Sequence, residues 1–472
     1  MTTAPQHTSA QPTLAERRAA GRAARKAVPR SSHARWRPPE DRPDVVTSME
    51  AQEVGRVQEL LPIRHARMLA SPFAFLRGSA DVMAADLATG PSTTLHTQLC
   101  GDAHLSNFGA FLAPDRRLVF DLNDFDETLR GPFEWDVKRL AASIEVASRD
   151  LGWTGPARRA AVLHGVRSYR EAMLSFAEMP TMSIWYARLD LQGLLDAARE
   201  AVGKRDRREI DRRVAKVRSK DSTLALSRLT EVRDGRLRIA RQPPLLVPLE
   251  DVADTLGGAD DLAARVLRVL RGYRRTLAAD RRGLLEKFTV IDIAHKVVGV
   301  GSVGTRALVV LAVGRDDGDP LFLQVKEAGP SVLERYLGRS PYTSGGRRVV
   351  EGQRLMQAAS DVMLGWTSDE SPTGRRDYYV RQLWDGKGSF RVERFSPERM
   401  HRYAQACGWT LARAHARAGD PVALAAYLGS SDAFDRAVAD FAAVYAEVTA
   451  GDHAAMAEAV ADGRMRATEE II

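Results

Sequence analysis

The alternation of apolar and polar residues divides the chain into stretches of different period. Between about residues 50 and 90, VQELLPIRHARML and SADVMAADLA carry a helical repeat. Two short apolar runs follow, LHTQLC and RRLVFDL, which predict strands flanking the loop GDAHLSNFG. FEWDVKRLAASIEVASRDL predicts an amphipathic helix, because Trp135, Leu140 and Ile144 recur at helical spacing. From about 155 to 285 the pattern is largely helical and charged; KRDRREIDRRVAKVRSK reads as a solvated face and RQPPLLVPLE as a loop. Near residue 288 the character changes. FTVIDIAHKVVGVGSVGTRALVVLAVG and PLFLQVKEA are β-rich, with RDDGD as the turn between them. Helices are expected at SVLERYL and VVEGQRLMQAAS, a strand at DYYVRQL, and helices again from Pro397 to the end.

Composition narrows the class. At 472 residues the chain can form two domains or one two-lobed unit, and 44% hydrophobic with 28% charged residues is ordinary for a globular protein. No apolar run approaches the roughly 20 residues of a membrane span. The basic residues near the N-terminus are interleaved with Ala and Gly, which is not a signal-peptide core. Only Cys100 and Cys407 occur, so neither a disulfide framework nor a Cys-rich zinc site is supported. These features predict a cytoplasmic protein with no membrane partner. Of the net charge of +8, residues 1–43 hold +6, with nine Lys/Arg against three Asp/Glu. That segment is expected to be a disordered basic tail, and no specific nucleic-acid partner is expected.

The candidate chemistry sits on two loops. Asp102, His104 and Asn107 lie on one, and Asp121, Asp124 and Asp126 follow a strand-turn-strand centred on Ala113–Arg117. Such a hairpin brings the two clusters face to face. Carboxylates gathered at one point repel each other, so they call for a cation, and Mg²⁺ suits Asp and Asn oxygens. Capping of turns is the bland alternative for each Asp taken singly. His104 fits a zinc ligand, a general base or a loop-orienting hydrogen bond. Further on, Gly299, Gly301 and Gly304 with Ser302 spell G-V-G-S-V-G. The β-branched run after them favours a hairpin over phosphates rather than a dinucleotide turn, which requires a helix there. Lys326, inward on a predicted strand, needs an anionic partner.

The spacing G-D-x-H-x-x-N, with an Asp on the next strand, resembles the catalytic and metal loops of kinase-like phosphotransferases, especially the aminoglycoside and choline kinase branch. The resemblance implies that Asp102 orients or deprotonates an acceptor hydroxyl. It makes Asn107 and Asp121 ligands of Mg²⁺, with Asp124 as the rival to Asp121, and Asp136 the residue that steadies the loop. Cys100 stands where that branch commonly has His. Lys326 would meet ATP phosphates and a Glu, Glu351 being preferred over Glu334, and DYYVRQL would lead into a hinge. The glycine loop follows the acidic loops here, so the implied fold is α+β, a two-lobed protein-kinase-like fold, circularly permuted, with a helical insertion. Its expected parts are the tail 1–43, the catalytic-loop part of the helical lobe 44–154, the insertion 155–285, the β-rich nucleotide lobe 286–390 and closing helices 391–472.

From about residue 44 the chain also resembles the bacterial domain-of-unknown-function 2252 family. The likeness runs through PIRHARMLASPFAFLRG, QLCGDAHLSNFG, FDLNDFDET, PFEWDVKRLAAS, VVGVGSVGTR, FLQVKEA and VVEGQRLMQAASD. That family name conveys no activity. The kinase-like likeness implies an ATP- and Mg²⁺-dependent phosphotransferase with a hydroxyl acceptor. A metal-dependent hydrolase, a nucleotide-binding regulator and a nucleotidyltransferase stay open beside it.

Overall fold

The computed structural model describes residues 12–191, 222–252, 259–297, 299–371, 374–383, 388 and 390–468. Helices form one body and an antiparallel sheet the other. In the helical body, Gly155–Ala177 crosses Pro397–Ala418 at two glycines: a Cβ on Gly408 would lie 2.1 Å from the Gly165 carbonyl oxygen. Removing two side chains lets the backbones touch. Glu134–Asp150 and the long helix Ala433–Ala461 close a core that includes Phe133, Tyr169, Leu411 and Phe441.

Four short strands carry the acidic loops. β1 (His96–Leu99) leads into the loop 100–107, β2 (Phe108–Leu112) and β3 (Leu118–Leu122) form the expected hairpin, and β4 (Leu129–Pro132) returns to pair with β1. β5 (Leu189–Asp190) adds to β3. β2 and β3 are buried on both faces, which explains their continuous apolar runs.

β6 (Thr230–Arg233) and β7 (Arg236–Ile239) make a hairpin. Beside it lies a sheet of β8 (Leu246–Pro248), β9 (Thr289–Lys296), β10 (Ala307–Val313), β11 (Pro320–Glu327), β12 (Gly365–Ser371) and β13 (Gly374–Gln382). Its spatial order is β12-β13-β11-β10-β9-β8, all neighbours antiparallel. The helix Gly345–Met356 connects β11 to β12 and packs on β12 and β13. The chain is thus α+β, with helices and strands segregated.

Two expected boundaries are corrected. Residues 12–43 are folded, not a disordered tail; residues 1–11 lie outside the described residues. The helix Leu14–Ala27 opens on a Thr13 capping box, and a Cβ on Gly21 would meet the Ala423 carbonyl oxygen at 2.1 Å. Trp36 is only 3% exposed. Gly21 and Ala24 are the close-packing positions of this helix. The stretch 155–285 is also not one insertion. Gly155–Ala177 belongs to the helical core, whereas Ala259–Thr276 packs on β12 and RQPPLLVPLE contributes β8 to the sheet edge. The basic run 204–220 lies outside the described residues. Among the described residues no helix is long and apolar enough to cross a membrane.

Candidate functional site

The loop after β1 owes its shape to the start of the next helix. Asp136 accepts hydrogen bonds from the backbone N–H groups of Cys100 (2.8 Å) and Gly101 (3.0 Å). Gly101 has φ +84°, and a Cβ there would lie 2.2 Å from the Glu127 carbonyl oxygen, so glycine is required. Behind Asp136 stands His415, its Nε2 3.3 Å from Oδ2, and Tyr169 meets His415 Nδ1 at 2.8 Å. One turn after Asp136, Arg139 donates from Nε to Asp102 Oδ1 (2.8 Å) and from its other end to the Leu76 carbonyl (2.6 Å). The Asp102 carboxylate is thereby aimed, with Oδ2 3.5 Å from His104 Nε2. Burial pushes the His104 imidazole down to about 4, helped by Arg77 and Arg139 and opposed by Asp102, so it is neutral near pH 7. Cys100 is fully buried, and burial beside Asp136 pushes its thiol well up, which makes it a structural residue.

Asn107 joins the two acidic loops. Its Nδ2 donates to the carbonyls of Asp102 and Asp124 (both 2.9 Å), while Oδ1 accepts from the Asp124 N–H at 2.7 Å. With both ends engaged it acts as a brace. Asp121 faces the other way: buried, it pairs with Arg413 and accepts from the Ala358 N–H at 2.9 Å. Asp124 and Asp126 turn to the cleft instead. Lys326, from β11, contacts Asp126 Oδ2 and lies 3.7 Å from Asp124 Oδ2. Tyr379, across β13 in register with Lys326, donates to Asp126 Oδ1 at 2.9 Å. Burial opposes ionisation of Asp124, yet Lys326 and Arg381 hold its carboxyl well below the usual range. Asp126 is raised, by burial and by the charge on Asp124. Asp124 Oδ1 is buried with no hydrogen-bond partner among the described residues.

The glycine segment is the connection between β9 and β10, with no helix after it. Gly299 and Gly304 have φ +69° and +90°. Arginines from the helical body hold the loop's carbonyls. Arg56 takes those of Gly301 (2.7 Å) and Val303 (2.6 Å), and Arg64 and Arg67 take those of Gly301 and Gly299. Ser302 Oγ reaches 3.4 Å from Asp126 Oδ2.

These elements enclose one cleft of about 480 Å³. Asp102, His104, Asn107, Asp124, Gly299, Gly301 and Ser302 line it, with Lys326 buried directly behind the carboxylates. Gly304 lies beside it under Arg56. Asp121 does not line it. Glu351 does not meet Lys326 either; it lies 3.8 Å from Arg347, and Glu334 lies 3.8 Å from Arg348. The buried charged residue of the helix Gly345–Met356 is Arg348, which donates to the carbonyls of Asp126 (2.7 Å) and Thr128 (2.8 Å). Lys326 is neutralised by the nearer loop carboxylates, which leaves no need for a helix Glu. Site residues that sequence reasoning left unassigned are Glu127, Arg56, Arg77 and Arg381. The arginines carried no local motif; PIRHARMLASPFAFLRG begins after Arg56 and has Arg77 next to its last residue, and only folding turns both to the cleft.

A family model described as an uncharacterized protein conserved in bacteria (DUF2252) matches residues 56–459. No curated protein and no solved structure matches the chain.

Proposed function

The chain belongs to this family, whose description assigns no chemistry, and from the cleft itself we infer an ATP- and Mg²⁺-dependent phosphotransferase with a hydroxyl acceptor. One observation carries the reading. Lys326 and the β9–β10 glycine loop, about two hundred residues from Asp102–Asp126 in the chain, meet those residues at a single cleft. The sheet supports it further: glycine hairpin β9–β10, lysine strand β11, a helix, then β12 and β13 is the order of a kinase nucleotide lobe. That unit follows the acidic loops, so the fold is read as a circularly permuted kinase-like one. The helix Pro397–Ala418 braces β1 and Asp136, as a helix preceding the catalytic loop would.

In this reading Asp102 accepts the proton of the acceptor hydroxyl while its oxygen attacks the γ-phosphorus. The new P–O bond forms, the bond to the β-phosphate bridging oxygen breaks, and ADP leaves with that electron pair. Arg139 keeps Asp102 aimed, and neutral His104 orders the acceptor side. Lys326 binds phosphate oxygens once an anionic ligand competes for it. A hard divalent ion fits the unpartnered Asp124 Oδ1 beside Asp126, and its chemistry there is neutralisation of phosphate charge. Among the described residues no three His, Cys, Asp or Glu side chains converge. That donor set suits an ion that keeps phosphates and waters as ligands, and it gives less support to a hydrolase built on three protein ligands.

The test is nucleotide binding by the full chain, read as a thermal shift and by calorimetry with and without Mg²⁺. ATP with Mg²⁺ at a hundred times its dissociation constant should stabilise the protein by about 2.7 kcal/mol. Lys326→Ala and Asp124→Asn should each weaken binding at least tenfold. No shift with any nucleotide at millimolar concentration would sink the reading. Release of ADP separates phosphoryl transfer from nucleotidyl transfer, which would release pyrophosphate.

A further inference from the structure

The cations of the cleft fall into two groups. Lys326 and Arg381 act on Asp124 and Asp126, the carboxylates at the nucleotide end. Arg77 acts on Asp102 and His104, the pair at the acceptor end. The two arginines differ in what holds them. Arg381 donates to Gln324 Oε1 (3.1 Å) and to the Asn123 carbonyl (2.9 Å). The Arg77 side chain has no hydrogen bond and no ion pair among the described residues, and its Nε is buried without a partner. Its neighbours are the Phe73 ring, 5.9 Å from the guanidinium carbon, and the field of Asp102 and the exposed Glu393. Asp102 is already paired with Arg139, so it does not neutralise Arg77. Arg56, which also lines the cleft, donates to the loop carbonyls and has no carboxylate within ion-pair distance among the described residues.

A half-buried guanidinium without acceptors is costly unless an anion completes it. Arginine's planar fork matches the oxygens of a phosphate or a carboxylate. We propose that Arg77 is an acceptor-anion subsite, so that the hydroxyl substrate also carries a phosphate or carboxylate group. This rests on the phosphotransferase reading and deepens it. It also sets the chain apart from the aminoglycoside and choline kinases, whose acceptors are cations that Arg77 would repel. Hydroxy acids and sugar phosphates are the matching chemistry.

The experiment uses the full chain saturated with Mg²⁺ and a non-hydrolysable ATP analogue, with inorganic phosphate as the probe, followed by calorimetry. Phosphate should bind without displacing the analogue; Arg77→Gln should weaken phosphate at least tenfold, and Arg77→Lys should restore part of it. Analogue affinity should change less than twofold in both variants. Because the Arg77 side chain makes no hydrogen bond among the described residues, neither variant should lower the melting temperature. ATP consumption is then compared across sugar phosphates, hydroxy acids, an aminoglycoside and choline; the first two arms distinguish phosphate from carboxylate. Phosphate that competes fully with the analogue, an unchanged affinity in Arg77→Gln, or turnover of the cationic acceptors alone would each overturn the proposal. If no nucleotide binds while phosphate binding still depends on Arg77, the phosphotransferase reading fails and the anion subsite stands.

Discussion

At the scale of single residues, neighbouring carboxylates of one motif do different work. Asp121 and Asp124 are three positions apart in DLNDFD, yet one is sealed against Arg413 and the other faces the cleft. Removing one member of a buried pair leaves an uncompensated charge, so Asp121→Ala should cost about 3–5 kcal/mol in chemical denaturation. Asp124→Asn gives up a carboxylate that Lys326 and Arg381 stabilise, but one still 43% exposed, so it should cost clearly less stability than Asp121→Ala while it weakens Mg²⁺-dependent nucleotide binding at least tenfold. If both variants unfolded alike, the division of roles would be wrong. His104 offers a second handle. Its imidazole is held at about 4 in the folded protein, against about 6.5 in an unfolded chain. As pH falls, the unfolded state takes up that proton first, so stability drops between about pH 6.5 and 4, by about 3 kcal/mol in total. His104→Gln should flatten that part of the stability–pH curve. The residue types and their spacing were legible in the sequence; which way Asp121 points was not, because Arg413 arrives from almost three hundred residues away.

At the scale of elements, helix and strand periods carried most of the information. The β2–β3 hairpin, the β9–β10 connection without a following helix, and the RDDGD turn before β11 lie where the pattern puts them. Periodicity says nothing of the small residues. Gly165 and Gly408 are the point where two helices touch. Gly408→Ala forces those backbones apart and should cost about 1–3 kcal/mol, with nucleotide affinity unchanged. Urea titration beside a nucleotide titration checks both halves of that statement. The helix Gly345–Met356 shows the same limit for charge: the sequence offers Glu351 and Arg348 with equal plainness, and the packing puts Arg348 inside.

At the scale of the whole molecule, the two ends of the chain are knitted together. Arg42 binds Asp86 and Asp452 at 2.7 Å each, and Arg464 reaches Glu50 at 2.8 Å. Deleting residues 1–43 therefore strips Trp36 and Arg42 from the helical core. The shortened chain should melt at a clearly lower temperature or aggregate, whereas removal of a mere solubilising tail would leave melting unchanged. Differential scanning calorimetry of the two chains decides between these.

The sequence by itself determined the parts: a loop with Asp102 and Asn107, a second acidic loop, a glycine hairpin and a lysine strand. Those are local properties, set by spacing, turn chemistry and side-chain period. Family membership was legible there too, since the stretches that carry the resemblance all lie within the matched residues 56–459. The tertiary structure alone decided which carboxylate meets Lys326, which cations face Asp102, and that residues 12–43 are core rather than tail. Each of those outcomes depends on contacts between separate elements, from 37 positions apart for Arg139 and Asp102 to 410 for Arg42 and Asp452, where burial and ion pairing choose among equivalent side chains. The opening pattern of alternating residues holds no record of that choice.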